Sequence, residues 1–134
     1  MNWKIEVVVV PVSDADRAKR FYSEQLGFNV DVDRSFGEAF RVVQLTPPGS
    51  ACSISFGPGL SPMEPGSLKG LQLVVSDVEA ARAALVERGV DVSPVQHFED
   101  GTLADGPGGD WNSFIFFDDP DGNSWAVQQK PAGE

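Results

Sequence analysis

The chain has 134 residues, 41% of them hydrophobic and 22% charged, enough for one compact domain or two small half-domains sharing a core. Twenty acids against ten bases leave a formal charge of −10, so the cationic footprint that nucleic acid or an anionic membrane requires is missing. One cysteine, Cys52, excludes an internal disulfide and fits a reducing compartment, while the apolar run in MNWKIEVVVV is far shorter than a membrane span; the expected location is the cytoplasm.

Residues 4–11 are β-branched and continuous, which predicts a strand covered on both faces. A helix follows from about Asp14 to Gln25, with Ser13 and Asp16 spaced as a capping box and Gly27 as its left-handed stop. Residues 29–33 (NVDVD) alternate, predicting a strand with Val30 and Val32 on one face. After the FGEAF turn come a strand at 41–45, stopped by Thr46-Pro47-Pro48-Gly49, and a short strand at 51–56. The first half therefore reads β-α-β-β-β. Residues 57–70, with three prolines and four glycines and no periodicity, read as a linker.

The pattern then repeats. LQLVVSDVEAARAALVERGV (71–90) matches VVVVPVSDADRAKRFYSEQLGF (7–28) as strand, capped helix and glycine stop. Ser13 and Asp16 recur as Ser76 and Glu79, and Gly27 as Gly89. Ala15, Ala18, Phe21 and Tyr22 recur as Val78, Ala81, Ala84 and Leu85, an apolar stripe at helical spacing. A strand at 90–95 is weakened by Pro94, residues 98–110 (FEDGTLADGPGGD) read as a glycine-rich polar loop, and 111–117 is strongly strand-like. Asp119-Pro120-Asp121-Gly122 is a turn, 123–128 the last strand, and 131–134 a tail. The expected division is a first module at 1–57, a linker at 58–70 and a second module at 71–130.

A repeated βαβββ module, a VPVSDxxRAxxFYxxxLGF opening and a closing FxDPDGN hairpin together resemble the vicinal oxygen chelate superfamily, which contains glyoxalase I, extradiol dioxygenases and bleomycin-resistance proteins. The resemblance implies an α+β fold of two tandem modules whose mixed sheet curves into a barrel-like cleft, with helices on the convex side. It also implies a homodimer. Metal-dependent members carry ligands on the first strand of each module, on the fourth strand, and on the last strand. Those positions map to Val7, Leu71, a residue among Ser53, Ile54 and Ser55, and Ala126. None is an imidazole or a carboxylate, so neither a metal nor another cofactor is expected. Strand alternation assigns Val7, Val9, Leu71, Leu73, Ser124, Ala126 and Gln128 to the cleft, with Ser53, Ser55 and Trp111 added, and turns Val8, Val10, Val74, Trp125 and Val127 toward the helices. An apolar cleft with a few neutral polar groups suits a small organic ligand, aromatic or cationic. That is the leading reading.

His97 is the sole histidine and reads either as a loop residue or as a general base for a lyase, isomerase or dioxygenase with a displaced or metal-free site. Cys52 reads as an inert strand thiol. Trp111 reads equally as a stacking residue or as core, Trp3 and Trp125 as core or dimer interface, and Phe114 to Phe117 on either sheet face.

Overall fold

The computed structural model describes all 134 residues and contains two mixed sheets and two α-helices, an α+β fold. Contacts divide the chain into two units. The first comprises residues 1–68 together with 119–123; the second comprises 69–118 and 124–134. Neither sheet closes on itself, so each module holds an open sheet rather than a barrel.

In the first unit the strands β1 (Val7–Val9), β2 (Asn29–Ser35), β3 (Arg41–Thr46) and β4 (Ser53–Phe56) lie in the order β1-β4-β3-β2, with β1 parallel to β4 and the other pairs antiparallel. β1 is an edge strand, and Val7 is 38% exposed, so the expected cover on both faces is absent there. Val30 and Val32 pair with the adjacent residues Leu45 and Gln44 across a bulge. The two valines thus face opposite sides, correcting the prediction from simple alternation. Helix α1 (Ala15–Arg20) runs into a π-helical turn at Phe21–Gln25. That widened turn, in which Leu26 N–H reaches Phe21 C=O, buries both Phe21 and Tyr22. Tyr22 packs against Phe28 and Phe56, with ring centroids 5.9 and 5.7 Å away. Val10, Val43, Leu45, Ile54 and Phe56 complete this core.

The helix caps differ from expectation by one residue. The carboxylates of Asp14 and Asp77, not the hydroxyls of Ser13 and Ser76, accept from the third residue on, Arg17 and Ala80. Ser13 is engaged elsewhere: its hydroxyl and amide both donate to Asp121, which also pairs with Arg17 at 3.0 Å. The Asp119-Pro120-Asp121-Gly122 turn is thereby tied into the first unit. One oxygen of Asp119 accepts from the amides of Asp121 and Asn123, the other from Tyr22 O–H at 2.7 Å and Asn123 Nδ2 at 2.8 Å. Asn123, fully buried, also donates to Pro11 C=O and accepts from Leu68 N–H.

In the second unit β5 (Leu71–Val75), β6 (Gln96–Glu99), β7 (Thr102–Asp105), β8 (Phe114–Asp118) and β9 (Ser124–Gln129) lie in the order β5-β9-β8-β6-β7, with β5 parallel to β9. Helix α2 (Val78–Glu87) packs on β8 and β9, and its first amide, that of Val78, donates to the Gln129 side chain. Residues 98–110 are not one loop: β6 and β7 form a hairpin turned by Asp100 and Gly101, at φ 52° and 78°. An Asp-Gly pair between short strands is the signal for this two-residue turn, and it was present in the sequence. The strand expected at 90–95 reduces to a single bridge between Val92 and Phe117. Pro94 follows two residues later and has no amide to extend a ladder.

Candidate functional site

Residues paired across strands share a sheet face, so the registers sort each side chain. In the first unit Val7 pairs with Ser53 and Val9 with Ser55, which places those four predicted residues on one side, opposite Ile54 and Phe56. Ser53 exchanges a hydrogen bond with Thr46 at 2.6 Å, and Thr46 donates in turn to Asp31.

In the second unit Leu71 pairs with Trp125 and Leu73 with Val127, both buried residues on the face that carries α2. Leu71 and Leu73 are therefore on the helix side, a correction to the predicted lining. Val74 is corrected in the opposite sense, pairing with Gln128 on the open face at 56% exposure. The repeat itself carries this offset: the seven-residue interval from Val7 to Asp14, taken back from Asp77, ends at Gly70 and not at Leu71. In the same alignment Gln72 corresponds to Val9. A polar residue inside LQLVV was the signal for the outward face.

The open face of the second sheet thus carries Gln72, Val74, Ser124, Ala126 and Gln128, joined by Phe114 and Phe116, which pair with Gln128 and Ala126. The Phe114 and Phe116 rings are stacked within 10° at 5.9 Å, and Phe98 meets Phe114 edge-on at 5.4 Å. Phe98 comes from β6, two residues beyond Gln96, the residue that pairs with Phe114. Phe98 and Leu103, opposite one another in the hairpin, are exposed. Three aromatic rings therefore form a row on this sheet face, Phe98 exposed, Phe116 half-buried and Phe114 buried between them, flanked by the polar pair Gln72 and Gln128, whose side chains bond at 2.8 Å. Phe116 also borders a hollow of about 510 Å³ shared with Asp91, Ser93, Phe117 and Asp118. The carboxylates of Asp91 and Asp118 give this open hollow an acidic wall. Phe98, Phe114, Phe116, Gln72, Asp91 and Asp118 were not among the predicted lining residues; for Phe114 and Phe116 the reason is that FIFF has no polar residue to break the symmetry between its faces.

Trp111 is not in a strand; it is 45% exposed, and its carbonyl accepts from Gln128 Nε2 at 2.8 Å. Trp125 is core and stacks on Phe117 at 6.1 Å, whereas Trp3 is 86% exposed and is not core. His97 lies on the opposite side of β6 from Phe98. Both its ring nitrogens are engaged, Nδ1 with Gly106 C=O at 2.8 Å and Nε2 with Glu99 at 3.2 Å. The Gly106 carbonyl, then Glu99, raises its pKa above the ordinary histidine value. Cys52 is half-buried, with its thiol directed at Ser53 C=O.

The donor chemistry of the superfamily's usual metal positions does not match a divalent ion. The side chains of Val7, Gly70, Leu71 and Ala126 offer no donor atoms, those of Ser53 and Ser55 only neutral hydroxyls, and no three His, Cys, Asp or Glu side chains converge in the chain. Glu6 precedes β1, whose register with β4 is regular, so no bulge brings it to the face of Val7.

Comparisons with known proteins agree with this architecture. The family model described as Glyoxalase/Bleomycin resistance protein/Dioxygenase superfamily matches residues 4–127. No curated protein matches the chain. Among solved structures, TnmS3, an antibiotic binding protein from Streptomyces sp. CB03234, is 37% identical, with 97% of this chain and 98% of that one covered and a TM-score of 0.78. A glyoxalase/bleomycin resistance protein from the same organism is 38% identical over 94% of this chain and 100% of its own, at a TM-score of 0.73. A superfamily member from Sphaerobacter thermophilus DSM 20745 is 26% identical, covering 96% and 98%, at 0.77.

Proposed function

Because the chain belongs to the glyoxalase/bleomycin resistance protein/dioxygenase superfamily, we propose that it binds a small, planar, aromatic organic molecule and sequesters it without chemical change. The observation that carries this reading is the row Phe98, Phe114 and Phe116 on the open face of the second sheet. Such a row offers dispersion and quadrupole contacts to a flat ligand and no group poised for proton transfer. The acidic wall of Asp91 and Asp118 favours a ligand carrying positive charge. An antibiotic-binding neighbour at 37% identity supports the same class of ligand. The donor-poor metal positions support binding independent of a metal ion.

The test is a fluorescence titration with planar aromatic cations such as doxorubicin, ethidium and proflavine, repeated with chelator, followed by mass spectrometry of the released ligand. Saturable binding, insensitive to chelator and with ligand recovered intact, is expected. Ligand recovered chemically altered, or binding abolished by chelator, overturns the reading in favour of a lyase, isomerase or dioxygenase with a displaced site.

The same reading takes the protein to be a cytoplasmic homodimer. The exposed apolar residues Trp3, Ile5 and Val7 supply surface for a second copy. Sedimentation at micromolar concentration should give a dimer, and Trp3→Asp should shift it toward monomer; a monomeric wild type refutes this part alone.

A further inference from the structure

The chain contains three Asp-Gly pairs, Asp100-Gly101, Asp105-Gly106 and Asp121-Gly122. Glycine has no Cβ to shield its own amide nitrogen, and in each pair that nitrogen neighbours the Cγ of the aspartate before it. What separates the three is the state of the glycine amide. An N–H that donates to a carbonyl is held along that bond, and its proton is kept from the solvent base that must remove it before the nitrogen attacks. Gly106 N–H donates to Val95 C=O at 2.8 Å, and Gly122 N–H to Asp119 C=O at 3.0 Å. The carboxylate of Asp121 is also engaged, by Ser13 and Arg17, and that of Asp105 by Gln96 at 3.4 Å. Gly101 N–H donates to no acceptor, the Asp100 carboxylate has no partner, and both residues are exposed at the tip of the β6–β7 hairpin.

We propose that Asp100 is a self-modification site, where the folded chain converts aspartate to isoaspartate, and that the conversion opens the β6–β7 hairpin. In the first step Gly101 N bonds to Asp100 Cγ and the Cγ–OH bond of the protonated carboxyl breaks. The hydroxyl leaves as water with the amide proton, and a five-membered succinimide remains. In the second step one water adds to the ring. Cleavage of the Cγ–N bond restores aspartate, whereas cleavage at the α-carbonyl leaves the main chain running through Cβ and Cγ. One water leaves and one returns, so no oxidant, reductant or cofactor takes part and the mass is unchanged.

The structural consequence follows from the turn. Its two residues are both left-handed, at φ 52° and 78°, and this turn sets the register that pairs Glu99 with Thr102. Isoaspartate adds a main-chain atom inside a turn that has no spare length. β7 is an edge strand whose only strand partner is β6, so no second ladder holds its register.

The experiment incubates the full chain at neutral pH and physiological temperature for several weeks, folded and in urea, and locates isoaspartate in its peptides by electron-transfer fragmentation. In the folded protein, isoaspartate at position 100 should exceed that at 105 and 121 together, with a transient species lighter by one water. In urea all three pairs should convert to a similar extent, because the protecting hydrogen bonds are gone. Asp100→Asn, which loses ammonia in place of water, should convert faster at the same position. Asp100→Gly keeps a sequence suited to the two-residue turn and removes the site. Amide exchange should show residues 102–105 losing protection in aged wild type and keeping it in aged Asp100→Gly. No excess at position 100 in the folded wild type, or a folded Asp100→Asn that stays unconverted while its urea-unfolded form converts, overturns the site. Isoaspartate at 100 with exchange at 102–105 unchanged overturns the opening of the hairpin.

Discussion

Replacing Tyr22 by Phe tests the most highly connected polar group in the first unit. Tyr22 is fully buried and Asp119 is 5% exposed, and the phenol donates to Asp119 Oδ2 at 2.7 Å. Phenylalanine preserves the ring contacts with Phe21, Phe28 and Phe56, so packing changes by one oxygen atom. The carboxylate keeps its other three donors, Asn123 Nδ2 and the amides of Asp121 and Asn123. The cost is then that of one buried hydrogen bond to a carboxylate, about 1.5–3 kcal/mol. For a chain of this size the corresponding fall in melting temperature is about 5–12 °C. Urea unfolding at neutral pH is the assay, with the midpoint falling and the m-value unchanged. A cycle with Asp119→Asn isolates the pair. In the Asp119→Asn background the Tyr22→Phe step should cost well under half as much, because the acceptor has already been changed. A Tyr22→Phe variant within about 0.5 kcal/mol of wild type, or strict additivity in the cycle, would refute the view that this carboxylate fastens the turn to the helix.

Gly66→Ala should be more damaging than its size suggests, since at φ +82° a new Cβ would lie 2.0 Å from Asp121 C=O, and a melting temperature equal to wild type would show that the turn can move aside. Asp33 has its pKa lowered to about 2 by hydrogen bonds from Arg41 and Lys19. A depressed carboxyl pKa contributes stability that is full above about pH 4 and lost as pH falls toward 2. The stability gap between wild type and Asp33→Asn should therefore close over that window in urea titrations, and a gap independent of pH counts against the ion pairs. His97 should titrate by NMR above the ordinary value of about 6.5. Glu99→Gln should lower that midpoint only in part, since the Gly106 carbonyl is the larger cause. A midpoint at or below the ordinary value contradicts the geometry.

Features that depend on local backbone chemistry were legible in the chain alone. Gly27 and Gly89 end their helices at φ 79° and 81° because a left-handed residue is needed there whatever surrounds it. The Asp-Pro-Asp-Gly turn and the duplicated strand-helix unit are local in the same sense, and they carried the family resemblance. Faces and partners were decided by tertiary structure. LQLVV offers apolar residues on both sides, so only pairing with β9 could put Leu71 and Leu73 against α2 and Gln72 and Val74 on the open face. FIFF was ambiguous for the same reason until β8 paired with β9. Ser13 was a reasonable cap by spacing, but Asp121, 108 residues away, takes its hydroxyl and leaves Asp14 to cap the helix. At Trp111 the φ of 60° belongs to the local turn closed by Asn112 N–H and Gly109 C=O, and what the tertiary structure adds is the partner of its carbonyl, Gln128, 17 positions along the chain. Local patterns specify which elements form, because each is a low-energy response of a short segment. Which atoms meet at the open face is a property of the sheet register, and register is settled only when distant strands compete for the same partners.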